Sequence, residues 1–362
     1  MIDQLNISSQ RSKQSIESVR HYGRFLATYL PTLSSEQEAI GHMNETSCMM
    51  PNVECERLGV VNNQNGSSAT DRTTFGNSFC MNLPCGLLNS QQPIPLSAQW
   101  GVGGLMLEIR LAPDSQFLFA TNNLSASLTD PFYQLRNLSL IYEVVNPSAD
   151  MLSKLKNQQG NTLEYNSISS YYTSVNSTNA IVNFNLGLKN CLSAFFNVIT
   201  SSRLNNLGED GFATLPFTNS GTTGVAKIKQ LIFTRNGVKF PLQYNIDTNV
   251  NPKFIPTGTD YYPADPQVVR NAMDSLMPFS SNKKTQISPA TFSRDLDANN
   301  RDTESLSPHN NFVGVSFDNI SNVGVDFTQA QLGVQMELEL TTDNPQTIFL
   351  FVHHKNTLVF SP

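Results

Sequence analysis

From about residue 58 onward, apolar and polar side chains alternate with a period of two. That spacing is expected of strands whose successive side chains point to opposite faces of a sheet with one face buried. Leu105, Leu107, Ile109 and Leu111 alternate with Met106, Glu108 and Arg110, and Leu138, Leu140, Tyr142 and Val144 alternate with Asn137, Ser139, Ile141 and Glu143. Val182, Phe184 and Leu186 repeat the pattern, as do Leu332, Val334, Met336, Leu338 and Leu340 near the other end of the chain. In 227–246 two alternating stretches flank Arg235-Asn236-Gly237, where Asn-Gly supplies the positive-φ residues of a tight hairpin turn. Leu231 and Phe233 are expected to face the same core as Val238, Phe240 and Leu242.

Helical signals are few. Asn146-Pro147 opens a run with Met151, Leu152 and Leu155 that stops near Gly160, and Asp265-Pro266 opens 268–277 ahead of Pro278. Leu188, Leu192, Phe195, Phe196 and Ile199 also fit helical spacing, but in a short apolar segment hemmed by strands, and periodicity leaves helix and strand both open there. The first 33 residues differ from the rest. Ile16, Val19, Leu26, Tyr29 and Leu30 recur at helical spacing with Arg11, Lys13, Arg20 and Arg24 between them, which predicts an amphipathic basic arm. The arm would present those four cations to a membrane, the genome or a neighbouring subunit, the alternative being an ordinary docking helix with a solvated face.

Many short strands separated by long polar stretches argue against a simple meander and for Greek-key or jelly-roll connections, which cross between two sheets. The long excursions would be 204–224, 249–263 and 280–310. At 362 residues the chain exceeds the roughly 250–300 at which single cores stop growing, so two modules are expected.

Composition narrows the function. Only 14% of residues are charged and the formal net charge is −6, so the surface is largely neutral and polar, and a body that grips nucleic acid through clustered Lys and Arg is excluded. Cys48, Cys55, Cys80, Cys85 and Cys191 lack the even count of a disulfide framework and the spacing of a zinc site, and read as buried thiols. No apolar run reaches the roughly 18–20 residues of a membrane span, and no signal-peptide core is evident, so synthesis in the cytoplasm is expected. No nucleophile elbow, zinc-protease motif or phosphate loop is present; Gly101, Gly103 and Gly104 read as turn or bulge glycines. His353 and His354 are adjacent in a strand-like run and point to opposite faces, which suits a polar strand end rather than a shared target. Asp295, Asp297 and Asn299 resemble the opening of a calcium loop, but Asn300 stands in place of its glycine and Leu306 in place of its glutamate, so a solvated loop is the better reading. No catalytic residue, cofactor, metal or small-molecule substrate is assigned.

One resemblance joins these features. Residues 82–88 (Asn-Leu-Pro-Cys-Gly-Leu-Leu) and 92–96 (Gln-Pro-Ile-Pro-Leu), followed by the strand to Leu111, resemble the first roll of double jelly-roll major capsid proteins of the PRD1/adenovirus-like lineage. The likeness continues through 138–146 and the helix after Pro147, then 163–165, 182–188, the Arg235-Asn236-Gly237 hairpin, 312–317, 323–327, 332–340 and 355–360. It implies an all-β fold of two jelly-roll sandwiches with a few short helices and the N-terminal helical arm: arm 1–40, first roll and linker helix 41–158, second roll 159–362. It further implies a non-enzymatic shell protein of the virion. Homotrimers would tile an icosahedral capsid beside neighbouring capsomers and penton or minor capsid proteins, with the arm turned inward. The competing readings are a single jelly-roll coat or penton protein with insertions, and a sandwich module for host attachment or glycan binding, for which Tyr171, Tyr172, Tyr261 and Tyr262 are the aromatic candidates.

Overall fold

The computed structural model describes residues 2–33, 83–90, 93–97, 101–117, 132–157, 162–206, 227–240, 246–247, 266–276, 278, 312–317, 323–339 and 345–359. Asp295, Asp297, Asn299, Tyr261, Tyr262, Cys48, Cys55 and Cys80 lie outside these residues, as does most of each long excursion. The described part is mostly β, built of antiparallel sheets with few helices.

The first 20 residues are strand rather than helix. β1 (Ile2–Ser9) and β2 (Ser15–Arg20) form a hairpin, and α1 (Tyr22–Leu33) follows. Ile16 and Val19 fit a helical period, but Glu17 and Val19 point inward and Ser18 and Arg20 outward, a period of two hidden by a glutamate in a core position. Ser9 Oγ accepts from the Ser12 N–H at 3.1 Å and Lys13 adopts φ 59°, which closes the hairpin turn. β1 also pairs with β3 (Leu105–Leu111), giving a three-stranded sheet in the order β2-β1-β3. Gly103 and Gly104 take positive φ just before β3, as turn glycines should. The Pro147 signal yields α2 (Ala149–Asn157). The alternating run 137–144, expected as a half-buried strand, has no ladder partners among the described residues; Leu138 and Ile141 are exposed on either side of its alternation.

Residues 162–359 form a jelly roll. Its strands are β4 (Thr162–Val175), β5 (Asn179–Phe184), β6 (Cys191–Thr200), β7 (Lys227–Arg235), β8 (Val238–Lys239), β9 (Ile246–Asp247), β10 (Val313–Ser316), β11 (Leu332–Glu339) and β12 (Gln346–Val359). One sheet has the order β10-β6-β12-β4 and the other β5-β11-β7-β8, with β9 also paired to β7. With β8 and β9 counted as one interrupted strand, successive strands switch between sheets at every step except the β7–β8 hairpin, the two-Greek-key pattern that defines this fold. The Asn236-Gly237 turn forms with φ of 50° and 79°. Leu231 and Phe233 are buried and Phe240 is half-buried, whereas Val238 is 64% exposed; Leu242 lies outside the described residues.

β6 settles the segment that periodicity left open. Nine of its ten residues are buried, because its sheet is covered on both faces and a strand so placed is apolar throughout. On the inner face Phe196 packs edge-on against Phe233 of the opposite sheet at 5.8 Å. On the outer face Phe195 and Phe351 stack at 5.3 Å beneath α1, and α3 (Pro266–Leu276) covers the neighbouring part. Gly314 of β10 lies so close to α3 that a Cβ there would meet Ser275 Oγ at 2.0 Å and Ser275 Cβ at 2.5 Å. Gly314→Ala is therefore expected to overpack this seam and destabilise by about 1–3 kcal/mol, read as a lower urea midpoint at unchanged slope.

Candidate interaction surface at the N-terminal hairpin

The N-terminal segment is attached to the roll by a buried carboxylate. Glu17 on β2 is 4% exposed, and its two oxygens accept from four donors. These are the N–H of Gly86 at 3.0 Å, of Leu87 at 2.8 Å and of Ile168 at 3.0 Å, and the hydroxyl of Ser167 at 3.0 Å. β4 is an edge strand of its sheet, so alternate backbone groups face away from β12, and Glu17 satisfies one of them. The Arg20 N–H donates to Ser170 Oγ at 2.9 Å and the Tyr165 hydroxyl to the Ile16 carbonyl at 3.2 Å, so β2 runs along that edge. Burial pushes the Glu17 carboxyl above its ordinary value, while the N–H groups of Leu87, Ile168 and Gly86 and the Ser167 hydroxyl pull it down. The turn carrying two of the donors is itself tightly seated: a Cβ on Gly86 would meet the Asn166 carbonyl oxygen at 2.0 Å.

α1 seals the outer face of the sheet. Phe25 lies 5.7 Å from Phe351 and 6.2 Å from Phe195, and Asn197 Nδ2 donates to Thr28 Oγ1 at 2.9 Å. His21, at φ 54°, turns the chain from β2 into α1 and accepts from the Arg24 N–H at 3.0 Å. Its ring packs edge-on to Tyr172 and Phe349, each at 4.9 Å. Burial, followed by the charges of Arg24 and Arg20, outweighs the attraction of Asp3 and lowers the imidazole pKa.

The four basic side chains do not form one stripe. Arg11 and Lys13 are exposed at the hairpin turn, and Arg20 is exposed at the other end of β2, roughly 20 Å away for a strand of this length. Arg24 is 7% exposed, with its guanidinium 4.7 Å over the Phe349 ring. It is part of the seal rather than of a solvated basic face. Arg24→Met should therefore cost about 1 kcal/mol from the lost cation–π contact, whereas Lys13→Met should stay within about 0.5 kcal/mol of wild type in the same urea titration.

Two buried polar centres had no sequence signal beyond residue type. His353 is fully buried, not at a polar strand end: its Nδ1 lies 2.9 Å from Ser193 Oγ and 3.1 Å from the Ser275 carbonyl oxygen, linking β12 to β6 and α3. Burial holds its pKa down at about 3. His354 points to the opposite face, 8% exposed, with Nε2 3.0 Å from Ser169 Oγ of β4, and burial lowers its pKa as well. Cys85 and Cys191 are buried and unbridged, and burial raises both thiols, that of Cys191 to about 12. Among the described residues no three His, Cys, Asp or Glu side chains form a metal-binding group.

No protein-family model matches the chain, and no curated protein matches it in sequence. Among solved structures, it is similar to a chain of the PBCV-1 virus capsid quasi-atomic model, with a TM-score of 0.33 and 7% identity over 59% of this chain and 52% of that one. It is also similar to PBCV-1 VP54 as fitted into a reconstruction of the virophage Sputnik, with a TM-score of 0.31 and 8% identity over the same shares, 59% and 52%. The chain thus spans about half the length of each solved chain it resembles.

Proposed function

We propose that this protein is the structural subunit of an icosahedral viral shell, a double jelly roll whose homotrimers form pseudo-hexagonal blocks. The observation that carries the reading is the strand order of residues 162–359. The outer face of its doubly buried sheet is taken by α1 and α3, so a second roll would stand beside it at another face. The arrangement of motifs in 82–111 and 138–158 supports that second roll, with an arm over 1–40, a first roll and linker over 41–158 and the roll described above in 159–362. The neutral polar surface suits repeated reversible contacts with neighbouring capsomers and with penton or minor capsid proteins, closing under symmetry. The role is geometric rather than chemical, and the site of action is the virion after synthesis in the host cytoplasm.

The N-terminal segment is a built-in clasp rather than a loose tether. Arg24 serves the seal, which leaves the exposed Arg11, Lys13 and Arg20 to meet an internal membrane, the genome or a neighbouring subunit. Light scattering on the purified full chain, followed by electron microscopy, tests the proposal: trimers or shells are expected, and a monodisperse monomer over a wide concentration range overturns it. Reversing the charges of Arg11, Lys13 and Arg20 should leave trimers intact and weaken retention of lipid or nucleic acid; unchanged retention removes the inward role.

A further inference from the structure

The N-terminal hairpin, the start of α1 and one end of the jelly roll enclose a cleft of about 200 Å³ that the shell-building role does not use. Tyr172 forms one wall. It is 61% exposed, yet its ring is held in place, stacked at 24° on the buried Phe349 and braced edge-on by His21. An exposed aromatic face already fixed in orientation loses little freedom when something lies against it. The rest of the lining mixes donors and acceptors from separate segments: the amides of Gln116 and Asn205, the Ser174 hydroxyl and the Asp3 carboxylate. Ile2 and Leu204 add apolar surface.

This chemistry discriminates among ligands. A purely apolar occupant would strip water from two amides and a carboxylate without replacing their hydrogen bonds. An anion such as phosphate would meet the Asp3 carboxylate, and the nearby cations are already engaged: Arg24 lies over the Phe349 ring, and Arg110 and His21 each stand 3.9 Å from Asp3. A sugar ring answers both demands, because its C–H face lies flat on an aromatic ring while each hydroxyl donates one hydrogen bond and accepts others. The cleft is smaller than the drug-sized pockets of small-molecule sites and matches one ring rather than a chain. We propose that it binds a single hexopyranose unit, the terminal residue of a glycan, with Tyr172 as the stacking platform and Asp3, Gln116, Ser174 and Asn205 as the polar rim. This inference does not depend on the shell-building role and can fail without affecting it.

Saturation-transfer NMR on the full chain tests it with methyl glucopyranoside, galactopyranoside and mannopyranoside as probes and glycerol as the non-ring control. At least one glycoside should show transfer concentrated on the protons of one ring face, with glycerol showing none. Tyr172→Ala, at an exposed position, should weaken that binding by about tenfold, and Asn205→Ala should weaken it less. Each variant is compared only after its thermal midpoint is shown to match wild type, and Asn205→Ala decides the matter alone where Tyr172→Ala does not. The inference is overturned by transfer to none of the three glycosides, by equal transfer to glycerol, or by binding that the folded variants leave unchanged.

Discussion

Replacing Glu17 with Ala is expected to lower stability by about 3–5 kcal/mol, the range for removing one partner of a buried charged network. The size follows from what is left behind: three backbone N–H groups and the Ser167 hydroxyl lose their acceptor in a place water does not reach. Glu17→Gln is a sharper probe. The amide oxygen in the Oε1 position can keep three donors, but the NH2 then faces the Leu87 N–H, so it should recover only part of the loss. Urea unfolding of the three proteins at equal slope gives the ordering wild type, Gln, Ala. Hydrogen exchange at Ile168 and Leu87 should quicken in both variants. A Glu17→Ala protein within 1 kcal/mol of wild type, as surface changes are (about 0.5 kcal/mol), would mean that the hairpin is not held by this carboxylate.

Acid should act through His353. Its pKa is lowered from 6.5 to about 3, so the unfolded chain binds a proton that the folded one refuses throughout that window. The stability contributed by the neutral buried ring is complete above 6.5, is lost progressively as pH falls and is exhausted only near 3. At about 1.4 kcal/mol per pH unit the loss is on the order of 5 kcal/mol. His354, lowered in the same direction by burial, adds to it. His353→Gln has nothing to titrate; it should be less stable than wild type at neutral pH, for want of the ring's packing against Phe195 at 5.7 Å, but flatter as the solution is acidified. Urea midpoints at neutral pH and at about pH 4.5 give the comparison, with a smaller drop expected for the variant. Parallel drops would assign acid sensitivity to other groups.

The contrast between β3 and β6 shows how far the sequence could be read. β3, β5, β11 and the β7–β8 hairpin announce themselves through alternation or Asn-Gly, and α2 and α3 through their prolines. These are local signals; in β5, β7 and β11 the tertiary environment agrees with them, whereas in β3 Leu105 and Leu107 are half-buried and Ile109 and Leu111 exposed. β6 has no alternation to show, since both its faces are covered by elements far away in sequence. The hairpin of β1 and β2 was legible only as amphipathic, because Glu17 occupies a core position that pattern reading assigns to apolar residues, and its partners at 86, 87, 167 and 168 come from distant parts of the chain. The same holds for the outer-face cluster of His353, Ser193 and Ser275: three polar residues on three elements carry no shared spacing. Of the cleft, only the Tyr171-Tyr172 pair stood out, and the two part company in the fold. Tyr171 turns inward, its hydroxyl donating to the Leu186 carbonyl at 2.8 Å, and Tyr172 faces out.

The seating of α1 on β12 has a bearing on how the molecule is made. Translation delivers Phe25 long before Phe351, so the helix emerges without the surface it is to cover and waits until β12 has left the ribosome. Closure of such distant contacts is slow, and in the interval Phe195 and its neighbours present an adhesive strand to other nascent chains. Yield in a recombinant host should therefore respond to chaperone supply and growth temperature more than to codon choice.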